Sequence, residues 1–339
     1  MGKPVRILVL ADTHYIHPDP KKGMEPIDDV KWFLQILKSA TDKTKLVWGQ
    51  SQAVERWRKH WHEVNSTYID TVIAQIAAEG RPDRVMLLGD QVNGYKNHGM
   101  ITPLNRWENQ QLLQKVTNAF GQLPIIVVGG HDAGYKLASG DALHDGGISP
   151  ESIRACLEDY GSMYGSEWIM PGLNWIWLSS EPFMVRPELE HHFQPYQLVW
   201  LKEQRKIELT FLQETLANTK GKFVLAIHDN SALLCDELQR ILDQYLNRLL
   251  VTTCGHFHAR WLANLYYHFV NRPIREVSRH YLVQIVPSVW GVIFPTTRGF
   301  IHLGAAWAEI LFYPESNLAL MQINYLSRRK PLTIKLGNI

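Results

Sequence analysis

At positions 249–258 the chain reads Leu249-Leu250-Val251-Thr252-Thr253-Cys254-Gly255-His256-Phe257-His258. The apolar run at its start predicts a buried strand, and a glycine follows shortly after that run. His256 and His258 then occupy alternate positions of a turn. Two imidazoles presented at the end of a strand indicate a metal site. Such a site needs further ligands from other parts of the chain.

Four other apolar runs predict strands that are also followed by oxygen or imidazole side chains. Val5 to Leu10 leads into Asp12 and His14, Arg84 to Leu88 into Gly89 and Asp90, Pro124 to Val128 into Gly130, His131 and Asp132, and Phe223 to Ile227 into His228, Asp229 and Asn230. Strands that alternate with helices are typical of an α/β sheet with its ligands at the carboxyl ends of the strands. Each motif alone is weak, but five strand ends of one kind indicate a shared site.

The spacing of apolar residues predicts the remaining elements. Helices are expected over residues 54–76, 104–120 and 195–217, and strands at 174–178, 281–286, 309–312 and 318–325. Beyond His258 only β-like pieces are expected. We expect one domain over residues 1–339, with a helical, lid-like insertion at about 15–66 and a β-rich part at about 280–326.

The composition limits the classes of function. A formal net charge of +2 over 339 residues argues against a nucleic-acid-binding tail or a basic membrane patch. Three widely spaced cysteines do not suggest a disulfide framework, and the first strand leaves no room for a cleavable signal, so we expect a reduced, cytoplasmic setting. No membrane span is expected, because charges or prolines interrupt the long apolar runs. The 12 tryptophans are expected to be mainly core residues.

The combined pattern resembles the calcineurin-like metallophosphoesterase superfamily. Its signature is Asp-x-His, Gly-Asp-x-x-Asp/Asn, Gly-Asn-His-Asp/Glu, a later His and Gly-His-x-His, and the resemblance extends over about residues 5–326. It implies a four-layer αββα sandwich with the metal site at the carboxyl ends of the strands. It also implies a phosphoesterase that cleaves a phosphomonoester, phosphodiester or pyrophosphate bond by attack of a metal-bridging hydroxide. Ligands of the Asp and His type suit two divalent ions of Mn, Fe or Zn.

Carried over residue by residue, the resemblance implies a role for each motif position. Asp12, His14 and His258 would hold one metal, His228 and His256 the other, and Asp90 would bridge the two. Asn93 would act from outside the ligand set. His131 would serve as general acid or electrostatic stabiliser at the leaving group, oriented by Asp132.

Gly130 departs from the family pattern. The motif has an asparagine there, whose amide oxygen ligates the second metal, and glycine offers no side-chain ligand. Asn93, Asp229, Asn230 or water could substitute. The alternative function is a degenerate scaffold or binding protein of the same fold with an impaired second metal site. The six intact ligand positions favour the active enzyme.

The substrate is the least determined part of the prediction. If the tryptophan-rich insertion roofs the metals, it would hold an apolar or nucleotide group, loosely as in the UDP-diacylglucosamine hydrolases of this superfamily. A general phosphomonoesterase or phosphodiesterase is the plainer alternative, and a nucleic-acid substrate is disfavoured because the insertion has no basic stripe. Peripheral membrane contact and the oligomeric state stay open. The other histidines are expected to be surface residues in loops or turns: His17, His98, His144, His191, His192 and His302.

Overall fold

A computed structural model of the chain describes residues 2–19, 50–92, 103–130, 132, 158, 162–185, 187, 190, 195–269, 272–296, 299–326 and 330–338. Two expected site residues, Asn93 and His131, lie outside this range. So do residues 20–49 of the expected insertion and the histidines at positions 98, 144, 191 and 192.

The strands of the described residues are β1 Val5–Leu10, β2 Arg84–Leu88, β3 Ile125–Val127, β4 Gly165–Met170, β5 Leu173–Trp177, β6 Lys222–Ala226, β7 Leu249–Cys254, β8 Val283–Ile285, β9 Val292–Thr296, β10 Gly299–Leu303, β11 Ala306–Tyr313, β12 Leu318–Tyr325 and β13 Leu332–Asn338. The helices are α1 Gln50–Glu79, α2 Pro103–Phe120, α3 Glu181–Met184, α4 Pro195–Asn218, α5 Asp236–Gln244, α6 Arg260–Phe269 and α7 Arg272–His280. Among these helices, none is long and apolar enough to cross a membrane.

The strands form two large sheets and a hairpin. One sheet has the order β13-β12-β11-β1-β2-β3, the other β4-β5-β6-β7-β8, and β9 pairs with β10. Strands β1 to β3 run parallel, as do β5 to β8. The carboxyl ends of the parallel strands therefore collect at one edge of each sheet.

The core lies in three layers of apolar contact around the sheets. Side chains alternate along β1, so that Ile7 and Val9 pack into the core between the two sheets. Leu8 and Leu10 pack on the opposite face with residues of α1 and α2. Residues of α4 and α5 cover the outer face of the second sheet. This is a four-layer αββα arrangement, and the predicted fold class is confirmed.

The two sheets meet at the end where the motifs lie. Ala11, just beyond β1, forms a parallel bridge with Ser288, just beyond β8. The backbone N–H of Ser288 also donates to the carbonyl of His258 at 3.0 Å. These contacts bring the loops after β1 and β7 together.

The predictions for the region after His258 are partly wrong. Two helices, α6 and α7, follow it, where only β-like pieces were expected. In α7, Ile274 and Ser278 are buried and Val277 is partly buried, which is the i, i+3, i+4 spacing of a helix, so the pattern was present in the sequence but the prediction did not use it. The hairpin β9–β10 and the edge strand β13 were also missed. His302 was expected in a loop or turn, but it lies on β10.

Trp61 tests the expectation that the tryptophans of the insertion are core residues. Its side chain is 3% exposed and packs in the cluster that joins α1 to the first sheet, together with Val64 and Tyr15. The part of the expected insertion that the structure describes after residue 49 thus belongs to a core helix. The lid role expected for residues 15–66 stays a prediction, and residues 20–49 lie outside the described part of the chain.

We predict that Trp61→Ala lowers the free energy of unfolding by about 3–5 kcal/mol, since it empties a buried aromatic site. Ile207→Ala, on α4 and 48% exposed, is the control and should cost about 0.5 kcal/mol or less. Urea unfolding followed by tryptophan fluorescence and circular dichroism measures both. Equal losses would show that the start of α1 does not contribute to the core.

Candidate metal centre

Six predicted ligands meet at the carboxyl ends of the strands. They form two groups, Asp12, His14 and His258 in one and Asp90, His228 and His256 in the other. Within each group, one potential ligand atom of every residue lies within 4.8 Å of those of the others. Each group takes residues from both sheets, so the centre lies across the line where the sheets meet.

The backbone at this centre is strained. Asp12, His14, Asp90, His256 and His258 all have positive φ angles, between 43° and 67°. The left-handed region is unfavourable for residues with a Cβ atom, and such residues cluster at functional sites. Only two other non-glycine residues in the described part of the chain have this conformation. The strain is thus concentrated on the candidate ligands.

Backbone hydrogen bonds hold the loops after β1 and β2 side by side. Asp12 donates its N–H to the carbonyl of Gly89, and His14 donates to that of Asp90. The side chain of Thr13 donates to the carbonyl of Gln91. These bonds fix the left-handed turns that point Asp12, His14 and Asp90 into the centre.

Asp12 also ties the two sheets together. Both of its carboxylate oxygens lie 3.0 Å from the backbone nitrogen of His256, which donates to them. Its Oδ1 lies 3.7 Å from Nε2 of His258. The rings of His14 and His258 have their centroids 5.2 Å apart. One carboxylate therefore orients the Gly-His-x-His turn and belongs to the first ligand group.

The tautomer of His228 is fixed by its surroundings. Nδ1 donates to the carbonyl of Leu88 at 2.9 Å, so in the neutral ring Nε2 carries the lone pair. Nε2 is buried, makes no hydrogen bond within the described structure, and lies 3.0 Å from Oδ2 of Asp90. The same Asp90 oxygen is 3.9 Å from Nε2 of His14. The Asp90 carboxylate therefore faces both ligand groups.

The electrostatics of the centre favour a cation. Burial raises the pKa of Asp12 well above its usual range, and the neighbouring Asp90 carboxylate adds to this effect. Burial alone would lower the pKa of His228, but Asp90 and Asp12 outweigh it and raise the pKa well above its usual value. Two buried carboxylates thus attract positive charge, and a divalent ion supplies it where a proton otherwise must. The residues present fit a pair of metal ions.

Asp132 contacts the loop backbones around the centre. It is 1% exposed, and Oδ1 accepts from the backbone N–H groups of Gln91 and Val92 at 2.8 and 3.1 Å. Oδ2 accepts from Gly129 at 3.0 Å. Burial and the charge of Asp90 raise the pKa of Asp132 to about 8, although these N–H groups oppose the shift. The carboxyl group fastens the loop after β3 to the loop after β2.

The two residues after His228, Asp229 and Asn230, make different contacts. Asp229 lies at the centre, with Oδ2 at 3.4 Å from Nε2 of His256 and Oδ1 accepting from the N–H of Ser231. Asn230 is buried, and its amide nitrogen donates to Ser278 on α7 at 2.7 Å. Of the two, Asp229 has the contact with a candidate ligand. Gly130 lies in the turn after β3.

Trp290 and two histidines form a layer behind the first ligand group. The Trp290 ring packs edge-on against His258, with ring centroids 4.7 Å apart. Its carbonyl accepts from Nδ1 of His302 at 3.0 Å, and Nε2 of His302 lies 2.9 Å from Nε2 of His60 on α1. The ring of Tyr68 stacks on His302. The sequence pattern does not indicate this layer, because its residues belong to separate segments of the chain.

The fold and the paired ligand groups define an α/β protein with two neighbouring candidate metal sites. The family model of calcineurin-like phosphoesterase matches residues 5–260, well over half of the chain and all six ligands. The chain belongs to this family. A search of curated proteins found no match.

We predict that Gly89→Ala disrupts the second ligand group. Gly89 has φ +81°, and a Cβ there would overlap Nδ1 and Cβ of His228. The substitution should therefore lower the affinity for Mn²⁺ by at least about tenfold, in line with the loss of an orienting contact. Isothermal titration calorimetry on metal-stripped protein measures the affinity.

Gly172→Ala is the matched control for this change. Gly172 has φ +82°, and nothing lies within 4 Å of an added Cβ. It should cost only the left-handed backbone energy, about 1–2 kcal/mol of stability, and keep the metal affinity. If both variants bind Mn²⁺ alike, the close approach of Gly89 to His228 is unimportant for the centre.

The His60–His302 pair predicts a pH dependence of stability. Burial, followed by the neighbouring His302, lowers the pKa of His60, while Glu63 opposes this. In the unfolded chain His60 takes up a proton at about pH 6.5. In the folded chain its pKa is lower, so at mildly acid pH protons bind preferentially to the unfolded chain and favour unfolding. The free energy of unfolding is therefore not reduced by His60 above about pH 6.5. It falls as the pH decreases from there through the lower pKa of His60 in the folded state.

Melting temperatures measured from pH 7.5 to 5 test this prediction. His60→Gln keeps a donor toward His302 and should flatten the decline in melting temperature at acid pH. His280→Gln removes an exposed histidine that pairs with Asp243 and should leave the decline unchanged. A decline of equal steepness in His60→Gln and the wild type would exclude His60 as its source.

Proposed function

We propose that this chain hydrolyses phosphate esters with two divalent cations. The observation that supports it is the meeting of six ligand side chains in two groups, five of them on left-handed backbone. A structure optimised for stability alone gains nothing from strained residues around buried carboxylates. Membership of the calcineurin-like phosphoesterase family agrees with this chemistry.

In this proposal the described residues bind and orient. Asp12, His14 and His258 would hold one ion, His228 and His256 would hold the other, and Asp90 would contribute to both sites. Two such ions together neutralise the phosphoryl oxygens and lower the pKa of a water molecule. The carbonyl of Leu88 accepts from Nδ1 of His228, so that Nε2 of His228 can ligate an ion. Asp132 holds the loops after β2 and β3 together.

The remaining roles are carried over from the family motif. We propose His131 as the general acid or electrostatic stabiliser at the leaving group, on a segment that Asp132 anchors through Gly129. Asn93 would support the ligands from outside their set. Asn230 and Asp229 are both candidates for the missing second-metal ligand, because the bond from the Asn230 amide nitrogen to Ser278 does not use the amide oxygen, which is the atom that ligates a metal.

The metals and substrate are proposed by chemical class. Oxygen and imidazole ligands favour Mn, Fe or Zn. The bond cleaved is a phosphomonoester, phosphodiester or pyrophosphate, in a substrate that carries an apolar or nucleotide group. Nucleic acid is disfavoured by the balanced charge. The buried free thiols of Cys235 and Cys254 are consistent with a reduced, cytoplasmic setting.

A degenerate scaffold is the alternative, and Gly130 is the observation in its favour. Loss of the motif asparagine weakens the second ligand group. The retention of Asp90, His228 and His256 in one group favours an enzyme instead. The number of ions that the chain binds decides between the two.

We predict that the metal-stripped chain binds two Mn²⁺ ions, and that each site stabilises the fold by about 2.7 kcal/mol when free Mn²⁺ is 100 times its dissociation constant. Hydrolysis of p-nitrophenyl phosphate or bis(p-nitrophenyl) phosphate should appear only after Mn²⁺, Fe²⁺ or Zn²⁺ is added. Asp12→Asn should remove most of the activity, because its carboxylate also orients His256.

Asp70→Asn is the control for this substitution. Asp70 is an exposed carboxylate on α1 that pairs with Lys115, and its loss should leave the activity unchanged. Two bound ions without hydrolysis of either ester would point to a narrower substrate. A wild-type chain that binds no Mn²⁺, Fe²⁺ or Zn²⁺ would refute the proposed function.

A further inference from the structure

We infer that Glu181 is a further acidic group of the second metal site, which compensates for the glycine at position 130. The inference rests on the proposed function, since it concerns the ion held by Asp90, His228 and His256. Neither the motif nor the sequence pattern pointed to Glu181. It begins the short helix α3, just beyond the carboxyl end of β5.

The position of Glu181 is fixed beside the site loop after β6. Ser180 accepts the backbone N–H of Asp229 on its Oγ at 2.8 Å, so the residue before Glu181 is bonded to the residue after His228. Helix α3 packs against the 3₁₀ turn Asn230–Leu234 that follows. The end of β5 therefore belongs to the same edge as the ligands, because β5 lies next to β6.

The Glu181 carboxyl group is buried without full hydrogen bonding. The residue is 2% exposed, and Oε2 has no hydrogen-bond partner in the described structure. An incompletely bonded carboxylate in the interior is unfavourable unless a cation is near. Oε2 is therefore a buried acceptor atom that no described group satisfies with a hydrogen bond.

Glu208 is a buried carboxyl group of this protein whose two oxygen atoms both accept hydrogen bonds. It is fully buried on α4, and it accepts from the backbone N–H of Ser179 at 3.0 Å, from the Ser179 hydroxyl and from Gln204 at 2.9 Å. Burial raises the pKa of both Glu208 and Glu181 to about 8. The two residues differ in their neighbours.

The groups that act on Glu181 electrostatically belong to the metal centre. After burial and its own backbone N–H, the pKa of Glu181 responds to His228, which lowers it, and to Asp90 and Asp229, which raise it. The pKa of Glu208 depends instead on burial and on its hydrogen bonds to Ser179 and Gln204. A divalent cation between Asp90 and His228 would attract the Glu181 carboxylate through the same low-dielectric interior.

This placement defines the role of Glu181 as a positioning residue. It is not one of the three residues whose ligand atoms lie within 4.8 Å of one another, so its effect is that of a nearby negative charge. The motif asparagine would supply a neutral ligand at position 130. A buried carboxylate supplies a full charge instead, which offsets the missing ligand by strengthening the attraction for the ion.

The test is the affinity of each site for Mn²⁺ in the full chain, stripped of metal and titrated by calorimetry. We expect two ions in the wild type. Glu181→Gln, which keeps the shape and removes the charge, should raise the dissociation constant of the weaker site about 10- to 100-fold and leave the tighter site unchanged. His228→Ala identifies which of the two signals belongs to the second site.

Two further variants separate a role toward the metal from a role in folding. Glu208→Gln removes a buried carboxyl group away from the centre, and should lower stability while keeping both Mn²⁺ affinities. Gly130→Asn in the Glu181→Gln background restores the motif ligand and should recover most of the second-site affinity. The metal-free Glu181→Gln protein should be at least as stable to urea as the metal-free wild type, because an incompletely bonded acid has been removed.

The outcomes distinguish this inference from the proposed function. Unchanged Mn²⁺ affinities in Glu181→Gln overturn the inference, as does a wild-type chain that binds only one ion. A loss of stability in metal-free Glu181→Gln, with no change in affinity, assigns Glu181 a structural role and also overturns it. A wild-type chain that binds no ion overturns the proposed function itself.

Discussion

The repulsion between two buried carboxylates, those of Asp12 and Asp90, is the constraint on which this structure depends. Both residues are almost completely buried, and each raises the cost of ionising the other or its neighbours. The interior cannot hold two like charges without a compensating cation. The turns, the glycines and the fixed tautomer of His228 are all means of keeping these carboxylates and their imidazole partners together.

The arrangement of the two sheets brings the buried carboxylates and their imidazole partners together. Parallel strands of two facing sheets bring their carboxyl ends to one place, and a bridge from Ala11 to Ser288 closes the gap between the sheets. Loops at strand ends can adopt left-handed turns, which regular strands cannot. The energy lost in those turns is recovered by the core layers, where β1 and its neighbours are buried on both faces.

The fold class and the grouping of six candidate ligands could be predicted from the sequence because both depend on local patterns. An apolar run followed by Asp or His marks a buried strand with its ligand, and five such runs place His256 and His258 near Asp12. Glu181 and the His60–His302 pair could not be found in this way. Their significance depends on which segments the fold packs together, and α3 is only four residues long. Helix α7 could have been predicted, since Ile274, Val277 and Ser278 stand at helical spacing, but it is only nine residues long.

The distribution of ligands over the two sheets has a consequence for how the chain comes apart. Asp12 and His256 are 244 residues apart in sequence, and each ligand group joins one sheet to the other. Ions in these groups would act as reversible cross-links that close very long loops, and the entropy of such closure grows with the logarithm of loop length. The two halves of the sandwich would then separate only after the ions leave, so the lifetime of the folded chain would follow the supply of metal in its surroundings.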